Sequence, residues 1–224
     1  MKKLLLASVF ALATSSALAD NIVFTATVDS VLQNTTTSAN GSLVLTNVSF
    51  GPVYNLNSLT VNAGPTFLAQ PDILDTNTIN INQSAGGSHT LVLDIKAQNL
   101  VGPNALQDIL SEFSVTGLTN GWSVFGETFI NGALQVTSPT VTGNSALGSA
   151  VTTANLTNPF EAEVRYTINS VGVGQFNGGI DMSVAQAVPG PIAGAGLPGL
   201  ITAFGFGFAW WKRRRNERPN ELVA

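Results

Sequence analysis

The sequence predicts an all-β fold, an antiparallel β-sandwich of jelly-roll or immunoglobulin-like type, carried between two terminal signals. Three observations predict it. Apolar and polar residues alternate with period two in many short runs. Those runs are rich in Val, Ile, Thr and Phe, which pack well on a pleated surface. Gly, Asn, Pro and Asp punctuate them at short intervals, as turns between antiparallel strands require. About ten short strands with one short helix suit two packed sheets.

Residues 21–32 alternate cleanly, with Ile22, Phe24, Ala26 and Val28 on one face and Val23, Thr25, Thr27 and Asp29 on the other. Residues 34–40 are polar and read as a loop ending in Asn40-Gly41. A second strand covers 42–50 and stops at Gly51-Pro52. A short one covers 56–61, followed by Ala63-Gly64-Pro65. Residues 72–82 hold another, with Ile79 and Ile81 on one side. Ala85-Gly86-Gly87 then turns the chain into 89–97, where Leu91, Leu93 and Ile95 alternate with Thr90, Val92, Asp94 and Lys96.

Residues 104–113 are the helix candidate, because Ala105, Ile109, Leu110 and Phe113 lie at helical spacing. Two hairpins are expected next, 113–118 with 122–125 around Asn120-Gly121, and 127–130 with 133–137 around Asn131-Gly132. Asn and Gly accept the positive φ of type I′ turns. Residues 138–157 are a Thr/Ser/Gly/Ala stretch, read as a loop with one weak strand. Residues 160–171 form a strand with Val164, Tyr166 and Ile168 alternating. A glycine-rich connection spans 172–179, and 180–187 closes the domain.

The two ends read differently. Lys2 and Lys3, an apolar run over 4–13 and the small residues Ala17-Leu18-Ala19 make residues 1–19 a secretory signal peptide, with cleavage between Ala19 and Asp20. At the other end, Val188, Pro189, Gly190 and Pro191 precede an uncharged run over 192–211. Twenty residues at about 1.5 Å each give roughly 30 Å of helix, enough to cross a bilayer's hydrocarbon core. Trp210 and Trp211 sit where an interfacial aromatic belt belongs. Lys212, Arg213, Arg214 and Arg215 then stop transfer and fix the cytoplasmic side, leaving a short cytoplasmic tail over 216–224.

This order of parts, Pro-x-Pro, one membrane span and an arginine cluster near the chain end, resembles the PEP-CTERM sorting signal of Gram-negative bacteria, in its glycine-rich variant. Gly190 stands where that family has a glutamate. The resemblance covers residues 188–224. It implies processing by exosortase, a membrane-embedded cysteine transpeptidase, and a link to extracellular polysaccharide or biofilm.

Between the signals lie residues 20–187, one extracytoplasmic domain. Its cations are Lys96 and Arg165, against eleven of the chain's thirteen acids, since Glu217 and Glu221 fall in the tail; the formal charge is −9. A domain this acidic repels phosphate backbones, which excludes nucleic acid as a partner. With no cysteine, thiolate metal sites, thiol nucleophiles and disulfides are excluded as well.

Few residues suggest chemistry. His89, the sole histidine, follows Ser88, but no Gly-x-Ser-x-Gly elbow accompanies it, so a Ser-His-Asp triad is not expected. Asp72 and Asp75, with Asn77, Asn80 and Asn82, offer clustered oxygens of the kind calcium needs, without an Asp-x-Asp-x-Asp loop. Glu161 and Glu163 share a strand face with Arg165. They suggest either paired glycosidase carboxylates or two solvent-facing acids. Tyr54, Trp122, Phe125 and Tyr166 suggest either a sugar-binding face or core. No catalytic residue, metal or cofactor is assigned.

The expected function is an exported, exosortase-targeted surface or extracellular-matrix protein, non-enzymatic and associated with exopolysaccharide. Its expected partners are the secretion translocon and signal peptidase, the inner membrane, an exosortase-like transpeptidase and polysaccharide. The alternatives are a carbohydrate- or calcium-binding module and a membrane-anchored pilin-like adhesin subunit. For the last, Phe24-Thr25-Ala26-Thr27-Val28 and Asn47-Val48-Ser49-Phe50-Gly51 faintly resemble the start of pilus-related domains, which usually carry a cysteine pair.

Overall fold

The computed structural model describes residues 21–64 and 72–185. The signal peptide with Ala17, Ala19 and Asp20, the motif Val188, Pro189, Gly190 and Pro191, the span 192–211, and Lys212, Arg213, Arg214 and Arg215 lie outside the described residues. Among those that are described, no helix is long and apolar enough to cross a membrane.

The described residues form twelve strands, all paired antiparallel: β1 (Asn21–Val28), β2 (Val31–Ser38), β3 (Ser42–Phe50), β4 (Tyr54–Ala63), β5 (Asp72–Gln83), β6 (Ser88–Leu100), β7 (Leu106–Leu118), β8 (Ser123–Ile130), β9 (Ala133–Thr137), β10 (Ala146–Asn155), β11 (Phe160–Val171) and β12 (Gly174–Val184). They make two six-stranded sheets. Sheet A has the order β2-β1-β6-β11-β8-β9 and sheet B the order β10-β7-β12-β5-β4-β3.

Period-two alternation decides which side of each strand faces inward. Ile22, Phe24, Ala26 and Val28 on β1 are buried as expected. So are Leu91, Leu93 and Ile95 on β6 and Val164, Tyr166 and Ile168 on β11. Sheet B answers with Leu56, Leu59 and Val61 on β4, Ile79 and Ile81 on β5, and Ile180 and Met182 on β12. The two inner faces form one continuous apolar core.

Three hydroxyl pairs cross that core. Thr76 on β5 meets Tyr166 on β11. Its Oγ1 also donates to the Ile180 carbonyl at 2.8 Å and accepts the Ile180 N–H at 2.9 Å, bridging the register shift between Gly178 and Ile180. The single Thr76 hydrogen is therefore used on the carbonyl, so Tyr166 is the donor to Thr76. Burial pushes the Tyr166 phenol well above its ordinary pKa, which keeps that proton in place. Tyr54 on β4 lies 2.5 Å from the Ser170 hydroxyl on β11, and both reach the His89 carbonyl at 3.1 Å. Ser111 on β7 pairs with Thr128 on β8 at 3.0 Å.

The structure corrects several sequence expectations. Residues 104–113 form no helix; Leu106 opens β7. Ala105, Ile109 and Phe113 are spaced by four, which satisfies period two as well as a helical turn, and Ser111 disguised the inward row. Residues 34–40 are not a loop, because β2 runs to Ser38; its polarity reflects its place at the rim of sheet A. The 138–157 stretch carries the ten-residue β10 at the rim of sheet B. The 172–179 connection is largely β12. Gly178 is required there because a Cβ would stand 2.5 Å from the Ser114 carbonyl oxygen.

Of the two Asn-Gly hairpins, Asn131-Gly132 stands, with φ of 50° and 74° and β8 paired to β9. Asn120-Gly121 does not, because β7 and β8 belong to different sheets. Only Gly121 has positive φ, 87°, and the Trp122 N–H bonds the Thr119 carbonyl at 3.0 Å, a type II turn that carries the chain across. Asp29 and Ser30, with φ of 50° and 68°, form a type I′ hairpin that ends the expected 21–32 strand at Val28.

Thr76→Val should strand the Ile180 N–H, the Ile180 carbonyl and the Tyr166 hydroxyl together, costing about 2–4 kcal/mol. Tyr166→Phe leaves Thr76 bonded to Ile180 and should cost about 1 kcal/mol. Urea denaturation of both variants checks this ordering.

Candidate functional site

The outer faces of the two sheets carry opposite electrostatic designs. On sheet A, Lys96 lies 2.8 Å from Glu161 and 3.2 Å from Glu163. Arg165 lies 2.5 Å from Asp94 and 3.0 Å from Glu163, with its guanidinium 5.0 Å above the Phe129 ring. The hydrogen bond that Lys96 donates to Glu161, aided by Glu163, raises the Lys96 pKa above its ordinary value. Glu161 also accepts from the Gln98 amide at 3.1 Å. Both cations of the domain are therefore consumed on this face. Glu161 and Glu163 share a face as expected, yet Glu163 is buried and both are taken up by ion pairs. They are not an unengaged pair of catalytic carboxylates.

Sheet B has no cation among its described residues. Its register sets Asp181 on β12 directly opposite Asp75 on β5 and Glu112 on β7, and sets Ser149 on β10 opposite Glu112. Three acids thus stand in one row across three neighbouring strands, an arrangement that like-charge repulsion disfavours. Burial first, then Asp72, Asp75 and Glu112, push the Asp181 pKa up to about 7. Asp75 is raised by burial and by Asp72, with the Asn77 amide hydrogen bond opposing. One oxygen of Asp181, Oδ1, is buried with no hydrogen-bond partner among the described residues.

Beside the row, Gly179 pairs with Ser114. A Cβ on Gly179 would come 2.7 Å from the Thr76 carbonyl oxygen, so no side chain fills this point of the face. The result is an open depression of about 400 Å³ lined by Asp75, Asn77, Glu112, Ser114, Ser149 and Asp181, among others. The carboxylates can accept hydrogen bonds and the hydroxyls and amide can both accept and donate them.

The other expected residues scatter. Asn77 turns to Asp75 and Asn80 accepts the Asn57 amide at 2.8 Å, so the oxygens expected for calcium run along β5 and do not converge. Among the described residues no three His, Cys, Asp or Glu side chains gather closely enough to hold a metal ion. His89 Nδ1 lies 2.8 Å from Asp29, whose pKa is lowered by that bond and by the Thr90 N–H. Ser170 bonds the backbone of His89 and not its ring. Tyr54, Trp122 and Tyr166 are core, and only Phe125 stays half-buried. Sequence reasoning missed Asp181 and Glu112, which are 69 residues apart and meet only through strand register.

No family model matches the chain, and no curated protein matches it. Its structural neighbours include carbohydrate-binding modules. A family 35 carbohydrate binding module from Clostridium thermocellum aligns with a TM-score of 0.27 and 12% identity, covering 75% of this chain and all of that one. TmCBM61 in complex with β-1,4-galactotriose aligns at 0.27 and 8% identity, covering 56% of this chain and 82% of that one. A β-glucosidase from Kluyveromyces marxianus in complex with glucose aligns at 0.32 and 13% identity over 75% of this chain, which spans 16% of that enzyme. Scores this low carry no argument about ligand or activity.

The acidic row has a pH signature. An ordinary unfolded aspartate titrates near 4, and Asp181 in the fold near 7. Between those values the folded state holds a proton that the unfolded state has lost, so stability falls as pH rises from about 4 to about 7 and then levels. Asp181→Asn should remove most of that slope and stabilise the domain at pH 8 by about 1 kcal/mol, allowing for solvent screening. Thermal unfolding across pH 4–8 measures both.

Proposed function

We propose that the chain is an exported, exosortase-targeted surface or extracellular-matrix protein. Its β-sandwich is non-enzymatic, and residues 188–224 anchor it in the inner membrane until processing. The observation that carries this reading is the order Val188-Pro189-Gly190-Pro191, uncharged span, Lys212-Arg213-Arg214-Arg215. Proline lacks an amide donor and disfavours helix in the residue before it, which suits a motif that a transpeptidase reads as extended chain. Four adjacent positive charges resist translocation, which places the tail in the cytoplasm and the acidic domain outside. The all-β, cysteine-free domain suits this role, since its sheets are cross-linked by buried hydroxyls and need no oxidant to mature.

Changing Pro189 and Pro191 to Ala in the native host should leave a full-length, membrane-bound protein, while the unsubstituted chain loses its tail. Mass spectrometry of the C-terminus reads the difference. An unsubstituted protein that still carries Trp210 and Trp211 at steady state rejects the sorting role.

A second reading, polysaccharide binding by the domain, is favoured by the depression beside Gly179 and by the buried Asp181 oxygen that has no partner among the described residues. Carboxylates there repel anionic glycans, so the ligand class is neutral. Ser114→Leu would fill the depression from the outer face. It should abolish binding of neutral oligosaccharides in calorimetric titration without lowering the melting temperature; equal binding by both proteins rejects this site.

A further inference from the structure

We infer that β10 is the edge through which two copies of this chain join, pairing antiparallel with the same strand of a second copy so that two sheets B become one twelve-stranded sheet. The first observation is where charge is missing. The four rim strands, β2, β3, β9 and β10, contain no charged residue and no proline. The charged residues of the described chain all lie on inner strands or at the Asp29 turn. Rim strands expose unpaired N–H and C=O groups, and proteins that stay monomeric usually blunt them with charge, proline or bulges.

Three of the four rims are nonetheless broken. Asn47, with φ of 54°, interrupts β3. The ladder of β2 slips opposite Ala26 and Thr27. β9 has five residues and a slip of its own. β10 alone among the described rims is long and regular, pairing with β7 from Ala146 to Asn155 without a shift. A strand so straight on its inner side presents an equally regular row on its outer side.

The second observation is what β10 shows to solvent. Leu147 is 88% exposed, and Val151, four residues on and on the same face, is 57% exposed. A twofold axis beside Ser149 would set Leu147 of each copy opposite the partner's Val151, covering four apolar side chains at once. On the inner face the same register sets Gly148 opposite the partner's Ala150, where small residues leave the strands free to close.

The occupant is a second copy because the rim is complementary to itself, Leu147 meeting Val151 about the twofold axis, and because charge does not oppose that approach. Two copies of an acidic domain repel wherever acids face each other, and they approach best along an uncharged rim. In this register the nearest acids across the junction are the two Glu112 side chains, one strand behind each rim. Three strand spacings separate them by about 14 Å, beyond the screening length of about 8 Å at physiological ionic strength.

The full chain has no cysteine, so Ser149→Cys would introduce a single thiol. Residues opposite each other in antiparallel strands lie about 4.5–5.5 Å apart at Cα, within disulfide range. Full-length Ser149→Cys protein in native membranes should oxidise to a dimer on a non-reducing gel. Thr46→Cys, on the opposite rim, should stay monomeric. Adding Val151→Lys to Ser149→Cys should cut the dimer at least tenfold, with an unchanged limited-proteolysis pattern showing that the fold is intact. A monomeric Ser149→Cys protein with that same pattern overturns the proposal. So does equal cross-linking of the two single variants, which would report random collision.

Discussion

Thr76 Oγ1 holds three hydrogen bonds on one buried atom, and the sandwich depends on it. It joins Tyr166 of sheet A to the irregular part of the β5–β12 ladder in sheet B. Polar groups in a dry core cost free energy unless paired. The three buried hydroxyl pairs, Thr76–Tyr166, Tyr54–Ser170 and Ser111–Thr128, meet that condition, and they meet it only when the two sheets stand in one alignment. Apolar burial brings the faces together without direction, and the hydroxyl pairs fix how they lie. Without cysteine, they are the buried directional links between the sheets among the described residues.

The distribution of charge follows from the same geometry. Inward positions are closed to charge, so acids occupy the outward positions of the inner strands. Lys96 and Arg165, on neighbouring strands β6 and β11, gather Asp94, Glu161 and Glu163 into one network on sheet A. That concentration leaves sheet B with acids and no counter-charge. Asp75, Asp181 and Glu112 accumulate repulsion beside a point where Gly179 leaves the face open. Strain of this kind lowers stability at neutral pH, and it gives sheet B a chemical character that sheet A lacks. The uncharged rims complete the pattern: charge sits on faces, and backbone hydrogen-bonding capacity sits at edges.

Legibility varied with how each strand is solvated. Strands buried on one face, such as β1, β6 and β11, show clean alternation and were readable to within a few residues. Rim strands β2 and β10 are wet on more than one side, so their polar composition resembles that of a loop. β7 looks helical in sequence because residues four apart satisfy either period and because Ser111, though inward, is polar. Asn131-Gly132 made the hairpin expected of it. Asn120-Gly121 did not, because a turn pair dictates a change of direction and says nothing about which sheet receives the chain. The candidate site was less legible still. Asp75 belongs to the oxygens that suggest calcium, but its partners in the row do not, and of the amides near it Asn77 bonds Asp75 itself while Asn80 faces Asn57.

The sequence by itself determined the class of fold, the inward residues of the alternating strands, the acidity of the domain, and the signals expected at either end, because these depend on local order along the chain. Only the tertiary structure decided that Asp181 stands between Asp75 and Glu112, that Tyr166 meets Thr76, and that β10 ends a sheet. Each joins residues far apart in sequence through strand order and register. Those follow from packing two whole faces together, and no local stretch encodes them.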